Sequence, residues 1–435
     1  MNGLLRALRN KIVWSDEYCS RKRAAHMIVC GMRGPTGQSR VVPRILSQLS
    51  VPGRNISCPV FYFTTVRKER NRNMEQYSIF LPSYTIGEQA YEKIGSICRP
   101  YGTKAVVIGG HKSMAAVKEP LSRQTEAAGI QILDFLWFGG ECCYENVDAL
   151  KEKAAVKEAD MIFAAGGGKA TDTAKALANT IGKPVFTFPT IASNCSACTS
   201  VSIMYHPDGS FFKPFFFEKP PVHAFINLNI IARSPERYMW AGMGDTYAKY
   251  FESTVSSRGE ELTHYIRLGI VISSMCLEPI LSCGKKAMED NRAGRVSYEL
   301  EQTVLAIVVS TALTSILVTK DRIIDYNTGM GHAVFYALTS FPQIEKGHLH
   351  GEVVAFGILI LLLADGQKEM FRKMYDFNRS VGLPTCLADV EITREQLPEV
   401  IAKTLEMKDI DHNPYKVTAE MLQAAFDELE ALSES

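Results

Sequence analysis

Charge of one sign is the first thing this chain lacks. Its 435 residues carry 48 Lys and Arg against 47 Asp and Glu, a net charge of +1. That balance excludes a nucleic-acid footprint spread over the whole chain. A cysteine framework is missing too. Eleven cysteines are present, but without disulfide-scaffold spacing, and in a chain this large they read as reduced thiols of a cytoplasmic protein. Long apolar runs are also short of the mark. The longest, Thr303 to Val318, falls below the roughly 20 residues a membrane span needs, and Val353 to Ala364 is shorter still. Both read as helices buried inside a helical domain. No internal repeat is visible.

The near-neutral total hides an asymmetry. Residues 1–73 hold 14 Lys and Arg against 3 Asp and Glu, which leaves 34 against 44 for the remainder. This basic head has no clear period. Three readings stay open: a translated upstream stretch with Met74 as the true start, a disordered arm, or an Arg-rich targeting segment.

From residue 74 onward a pattern emerges. Short apolar strands are expected at Tyr77–Leu81, Lys104–Ile108, Ile130–Phe138, Met161–Ala165 and Pro184–Phe188. Helical spacing lies between them at Gly87–Cys98, Ser113–Glu126 (interrupted at Pro120), Val147–Ala159 and Thr171–Ile181. Such alternation predicts a parallel sheet with helices on both faces over residues 74–229. Beyond residue 230 the strand signals fade. Periodic apolar segments at Tyr238–Ser256, Leu262–Leu281, Tyr298–Val318, Gly331–Ser340 and Glu352–Lys368 predict an all-helical domain over 230–435. The fold class expected is therefore an α/β domain with a parallel sheet followed by an all-α domain.

Chemistry concentrates in four places. Gly166-Gly167-Gly168-Lys169 follows a strand and opens a helix. Glycines let a backbone approach phosphates closely, and helix N-terminal amides donate to them. The spacing is neither G-x-G-x-x-G nor a P-loop, so a plain tight strand-to-helix turn is the competing reading. Gly109-Gly110 ends another strand and is followed by His111 and Lys112 rather than an acid. An acid there would grip a ribose 2′-hydroxyl, so its absence tilts the reading toward NADP. Asp245 sits in Ala-Gly-Met-Gly-Asp, His332 in Gly-Met-Gly-His, and His350 in His-Leu-His-Gly-Glu. One Asp and two His suit a divalent cation with an open position, zinc or ferrous iron. Singly, each has a bland reading, as a helix cap or a satisfied core partner. His348 reads as a loop bystander. A nucleotide cradle beside a catalytic metal suggests metal-assisted hydride transfer.

Four ordered motifs resemble the iron-containing alcohol dehydrogenase superfamily, and within it the glycerol dehydrogenase branch. They are Gly-Gly-Gly-Lys-x-x-Asp-Thr-Ala-Lys at 166–175, Pro-Thr-Ile-Ala-Ser at 189–193, Ala-Gly-Met-Gly-Asp at 241–245, and the stretch 331–357 that joins His332 to Gly-Glu-Val-Val-Ala-Phe-Gly. The likeness spans about residues 76–430. It implies that Asp245, His332 and His350 hold one zinc or iron ion. It implies an N-terminal Rossmann-like domain and a C-terminal helical domain, in which Gly166, Gly167, Gly168 and Lys169 cradle NAD or NADP, with Thr190 and Ser193 on the nicotinamide side and the Gly110 turn toward the adenosine ribose. Asp172 is implied near cofactor and substrate. It also implies a homo-oligomer acting on a small-molecule substrate.

The alcohol branch has a further histidine four residues after the aspartate, where this chain has Lys249, which fits the three-ligand glycerol branch. Two departures from that branch stand out. Its second histidine, just after the first metal histidine, is missing, and Phe335 and Tyr336 occupy the region. The glycerol branch continues its Pro-Thr-Ile-Ala-Ser turn with an acid that faces the polyol, where this chain has Cys195. Losing an acid removes an acceptor for extra hydroxyls and removes repulsion against a carboxylate. Cys195 is therefore expected at the substrate, and a 2-hydroxy or 2-oxo acid becomes a candidate, as in the hydroxycarboxylate dehydrogenase offshoot. A lyase of the dehydroquinate synthase type and a non-catalytic nucleotide-binding protein remain as alternatives.

Overall fold

The structure is a computed structural model that describes residues 76–320 and 326–433. The basic head, and with it Met74 as a start, lies outside the described residues.

Six strands make one wholly parallel sheet: β1 Tyr84–Gly87, β2 Lys104–Gly109, β3 Gln131–Trp137, β4 Met161–Gly166, β5 Val185–Pro189 and, after a hairpin, β8 His223–Asn227. Their order is β1-β8-β5-β4-β2-β3. The hairpin, β6 Val201–Tyr205 with β7 Phe211–Phe216, is antiparallel and separate. Alternate residues feed opposite cores. Ala105 and Val107 of β2 join Phe163, Phe188 and Phe225 on one face. Val106 and Ile108 join Ile162 and Ala164 on the other. Helix α1, His111–Ala127, covers the first face with Met114, Val117 and Leu121. Helix α2, Gly168–Ile181, covers the second with Ala174, Leu177 and Ala178. Burial on both faces is what a parallel sheet requires, and it explains why all six residues of β4 are buried.

The second half is helical. Three of its helices matter for the site: α3 Glu236–Ser256, α4 Met330–Leu338 and α5 His350–Ala364. Residues Gly351 to Leu363 of α5 are all buried. An element apolar all round is a central one, and α5 is packed by α3, α4 and the helix Ala419–Ser433.

Several local expectations change. Tyr77–Leu81 is not a strand; the Tyr77 ring sits edge-on to Tyr265 at 4.9 Å. Pro120 does not interrupt α1, because the flanking Val117 and Leu121 anchor that helix in the core. Val147–Ala159 divides into helices Tyr144–Lys151 and Ala154–Glu158. The hairpin and β8 were not foreseen. By length and composition, two helices among the described residues, His264–Arg292 and Tyr298–Val318, are long and apolar enough to cross a membrane. The first has 39% of its most apolar window buried and the second 72%, so Tyr298–Val318 packs as the buried helix that its apolar run predicts.

Candidate active site

Backbone contact between helices assembles the site. A Cβ on Gly244 of α3 would strike the Gly351 carbonyl oxygen of α5 and lie 2.9 Å from Ala355 Cβ. A Cβ on Gly357 of α5 would strike the Gly331 carbonyl of α4. Only side chains reduced to hydrogen let these three helices approach so closely. Each glycine flanks or nears a polar residue of interest: Gly244 precedes Asp245, Gly351 follows His350, and Gly331 precedes His332.

The result is a cluster. Asp245 Oδ1 lies 3.4 Å from His350 Nε2 and 3.7 Å from His332 Nε2. One donor atom from each of the three residues falls within 4.8 Å of the others. A tetrahedral ion with bonds of about 2.1 Å separates its donors by about 3.4 Å, so the set fits a small divalent cation. His332 is buried, while the His350 side chain is 46% exposed, so the cluster has a closed floor and an open mouth. Phe335 packs edge-on to His350 at 4.4 Å.

Neighbouring charges act on Asp245 and His332. Burial alone would raise the Asp245 carboxyl, but His350, His332 and Lys249 outweigh it and hold the group well below the usual carboxylate range. Burial would lower His332, but Glu252 and Asp245 outweigh that and raise it. Glu252 is a residue that sequence reasoning missed. It lies seven residues after Asp245, two turns along the same face of α3. Its fully buried carboxylate lies 2.7 Å from His332 Nδ1. It also accepts from the amides of His332 at 2.8 Å and Gly329 at 3.0 Å. An i, i+7 pair of acids on an otherwise buried helix was the available signal. Lys249, one turn after Asp245, donates to the Asn327 side chain at 2.9 Å, so it anchors the segment leading into α4.

The glycine turns lie at the carboxyl ends of β2 and β4, where ligands bind open α/β sheets. Ser113 of α1 joins them. Its Oγ is 2.9 Å from the carbonyls of both Gly110 and Ala165. The loop after β5 then links the glycines to the cluster. Ile191 lies against Gly167 and Asn194 against Gly168. On its other side, a Cβ on Gly242 of α3 would come within 2.6 Å of the Ala192 carbonyl and 3.0 Å of Ser193 Cα. Thr190 and Ser193 thus run between the glycine turn and the helix that carries Asp245. Lys169 pairs with Glu141 and lies over the Tyr205 ring.

Asp172 and Cys195 have contrasting surroundings. Asp172 bonds inward, to Lys175 at 2.9 Å and to the Ile203 amide at 3.2 Å. Lys175 itself is 1% exposed and also reaches the carbonyls of Ser196 and Val201. This pair pins the loop and hairpin to α2. Cys195 is a neutral thiol, pushed up to about 12 by burial and then by the nearby Asp245 charge.

Known proteins share this architecture. The sequence model for iron-containing alcohol dehydrogenase matches residues 82–224. Hydroxycarboxylate dehydrogenase A of Escherichia coli is 31% identical over 76% of this chain and 90% of its own length. Glycerol dehydrogenase of Thermotoga maritima is 33% identical over 65% of this chain and 77% of its own. The crystal structure of a probable glycerol dehydrogenase from Sinorhizobium meliloti superposes with a TM-score of 0.68 and 26% identity, covering 82% of this chain and 99% of that one. The chain belongs to the iron-containing alcohol dehydrogenase family and is an oxidoreductase of that family.

Proposed function

We propose that this dehydrogenase moves hydride between NAD(P) and a small 2-hydroxy or 2-oxo acid, with Asp245, His332 and His350 holding one zinc or iron ion. A bound divalent ion would serve as a Lewis acid toward the substrate oxygen, and the nicotinamide would carry the hydride. The protein's own part is placement. Gly166, Gly167, Gly168 and Lys169 cradle the pyrophosphate, and the Gly110 turn lies toward the adenosine ribose. Thr190 and Ser193 set the nicotinamide beside α3. Asp172, through Lys175, stiffens that loop. The half-exposed His350 marks the side from which substrate enters. His111 and Lys112 at the first glycine turn offer no carboxylate to repel a 2′-phosphate, which favours NADP.

The observation carrying the substrate choice is Cys195, an uncharged thiol in the loop whose Ala192 and Ser193 pack on Gly242 of α3, the helix of Asp245. A carboxylate there would repel an acid substrate, and a thiol does not. The likeness to hydroxycarboxylate dehydrogenase A supports this reading. A small polyol is the second reading, favoured by the glycerol dehydrogenase relatives. The division at residue 230 belongs to the same proposal, as do assembly into a homo-oligomer and a cytoplasmic setting without membrane or nucleic-acid partners. All eight described cysteines are free thiols, which supports a reducing compartment. Nicotinamide absorbance with a panel of 2-oxo acids and dihydroxyacetone, each with NADH and NADPH, tests the proposal. Turnover of the oxo acids over dihydroxyacetone is expected. Turnover of dihydroxyacetone alone would return the enzyme to the polyol reading.

A further inference from the structure

We propose that Glu252 is a positioning residue that fixes the ring tautomer of His332 and so prepares Nε2 to bind a cation. The idea rests on the metal-site reading above and extends it to a residue outside the three donors. Both oxygens of the Glu252 carboxylate are committed. Oε1 accepts the amides of Gly329 at 3.0 Å and His332 at 2.8 Å. Oε2 is 2.7 Å from His332 Nδ1. An ionised carboxylate has no proton to donate. Nδ1 must therefore carry the hydrogen, and in the neutral ring Nε2 is left with its lone pair. Nε2 is the nitrogen that faces Asp245, at 3.7 Å. Outer carboxylates of this kind orient histidine ligands and raise their basicity.

The same three contacts make Glu252→Gln a discriminating variant. Gln has one oxygen and one NH2 group. Two backbone amides compete for the oxygen against one imidazole. The oxygen stays with the amides, and the NH2 turns to Nδ1. Nδ1 then becomes an acceptor, and the ring proton moves to Nε2. The fold keeps its hydrogen bonds while the donor atom is blocked.

Two measurements separate this role from a merely structural one. Histidine-selective 15N NMR of the metal-free protein at alkaline pH reads the His332 tautomer directly, with His332→Gln assigning the signal. Competitive zinc titration reads affinity, with cobalt absorption reporting the ligand field. The wild type is expected to show the Nδ1–H form. Glu252→Gln is expected to show the Nε2–H form, to bind zinc about 10–100-fold more weakly, and to melt close to the wild type. Glu252→Asp, which keeps an acceptor-only group, is expected to restore the Nδ1–H form. If Glu252→Gln retains the Nδ1–H form, or binds zinc within twofold of wild type, the proposal is overturned. Wild-type protein that binds no zinc would instead defeat the metal-site reading, and the tautomer measurement would still decide the part played by Glu252.

Discussion

Replacing Gly244 by Ala tests whether helix proximity builds the cluster. The new Cβ would sit 2.9 Å from Ala355 Cβ and collide with the Gly351 carbonyl oxygen. Carbon atoms rest at about 3.5–4.0 Å, so α3 and α5 must part by roughly 1 Å at this point. Overpacking of this size costs about 1–3 kcal/mol. Gly244 is next to Asp245 and Gly351 next to His350, so the separation passes directly into the Asp245–His350 spacing, now 3.4 Å. Donors about 1 Å too far apart no longer match a small tetrahedral ion. A misplacement of that order costs about 100-fold in activity. Urea unfolding of the metal-free protein and zinc competition are the assays. Gly347→Ala is the control, because a Cβ there meets nothing within 4 Å. Gly244→Ala with wild-type stability and zinc affinity would refute the claim that backbone contact sets the site.

Two other perturbations probe the scaffold. Lys175→Met leaves Asp172 buried without its cation and frees the 196–201 loop; a loss of about 3–5 kcal/mol is expected by urea unfolding, partly recovered in the double variant with Asp172→Asn. His223 is held neutral between Ser83 and Thr85 hydroxyls at 2.7 and 2.8 Å, and burial lowers it to about 4. A lowered histidine binds fewer protons folded than unfolded between about pH 6.5 and 4, so stability should fall as pH drops through that window, by at most about 1.4 kcal/mol per pH unit. His223→Gln should flatten that part of the stability–pH curve, and an unchanged slope would place the effect elsewhere.

How much was legible follows from where the signals lie. Met161–Ala165 running into three glycines is local, and its strand, turn and helix could be read directly. Asp245, His332 and His350 stood out because small residues flank each of them. Glu252 did not, because an acid on a helix ordinarily reads as solvated, and its partner lies 80 residues away. The β8 strand hid behind Pro220-Pro221 and begins with a histidine whose two hydroxyl partners come from Ser83 and Thr85, far upstream. The hairpin hid in Phe-Phe-Lys-Pro-Phe-Phe, which has neither clean alternation nor a helical period. Lys175 closes the 166–175 motif, but nothing in the sequence marks it as buried. Only the fold turns the 194–201 loop over it and supplies the carbonyls that make its burial tolerable. For Glu252, β8 and Lys175 the missing information was a long-range contact.

Metal dependence of hydride transfer is the most direct test. NAD(P)H oxidation with the preferred carbonyl substrate should be measured for wild type after chelation, then after adding zinc or ferrous iron, alongside Asp245→Asn and His350→Ala. Activity should vanish on chelation and return with the ion in wild type only, while both variants still bind the reduced cofactor. Full turnover in chelated protein, or in either variant, would contradict the assignment of these residues to a catalytic metal.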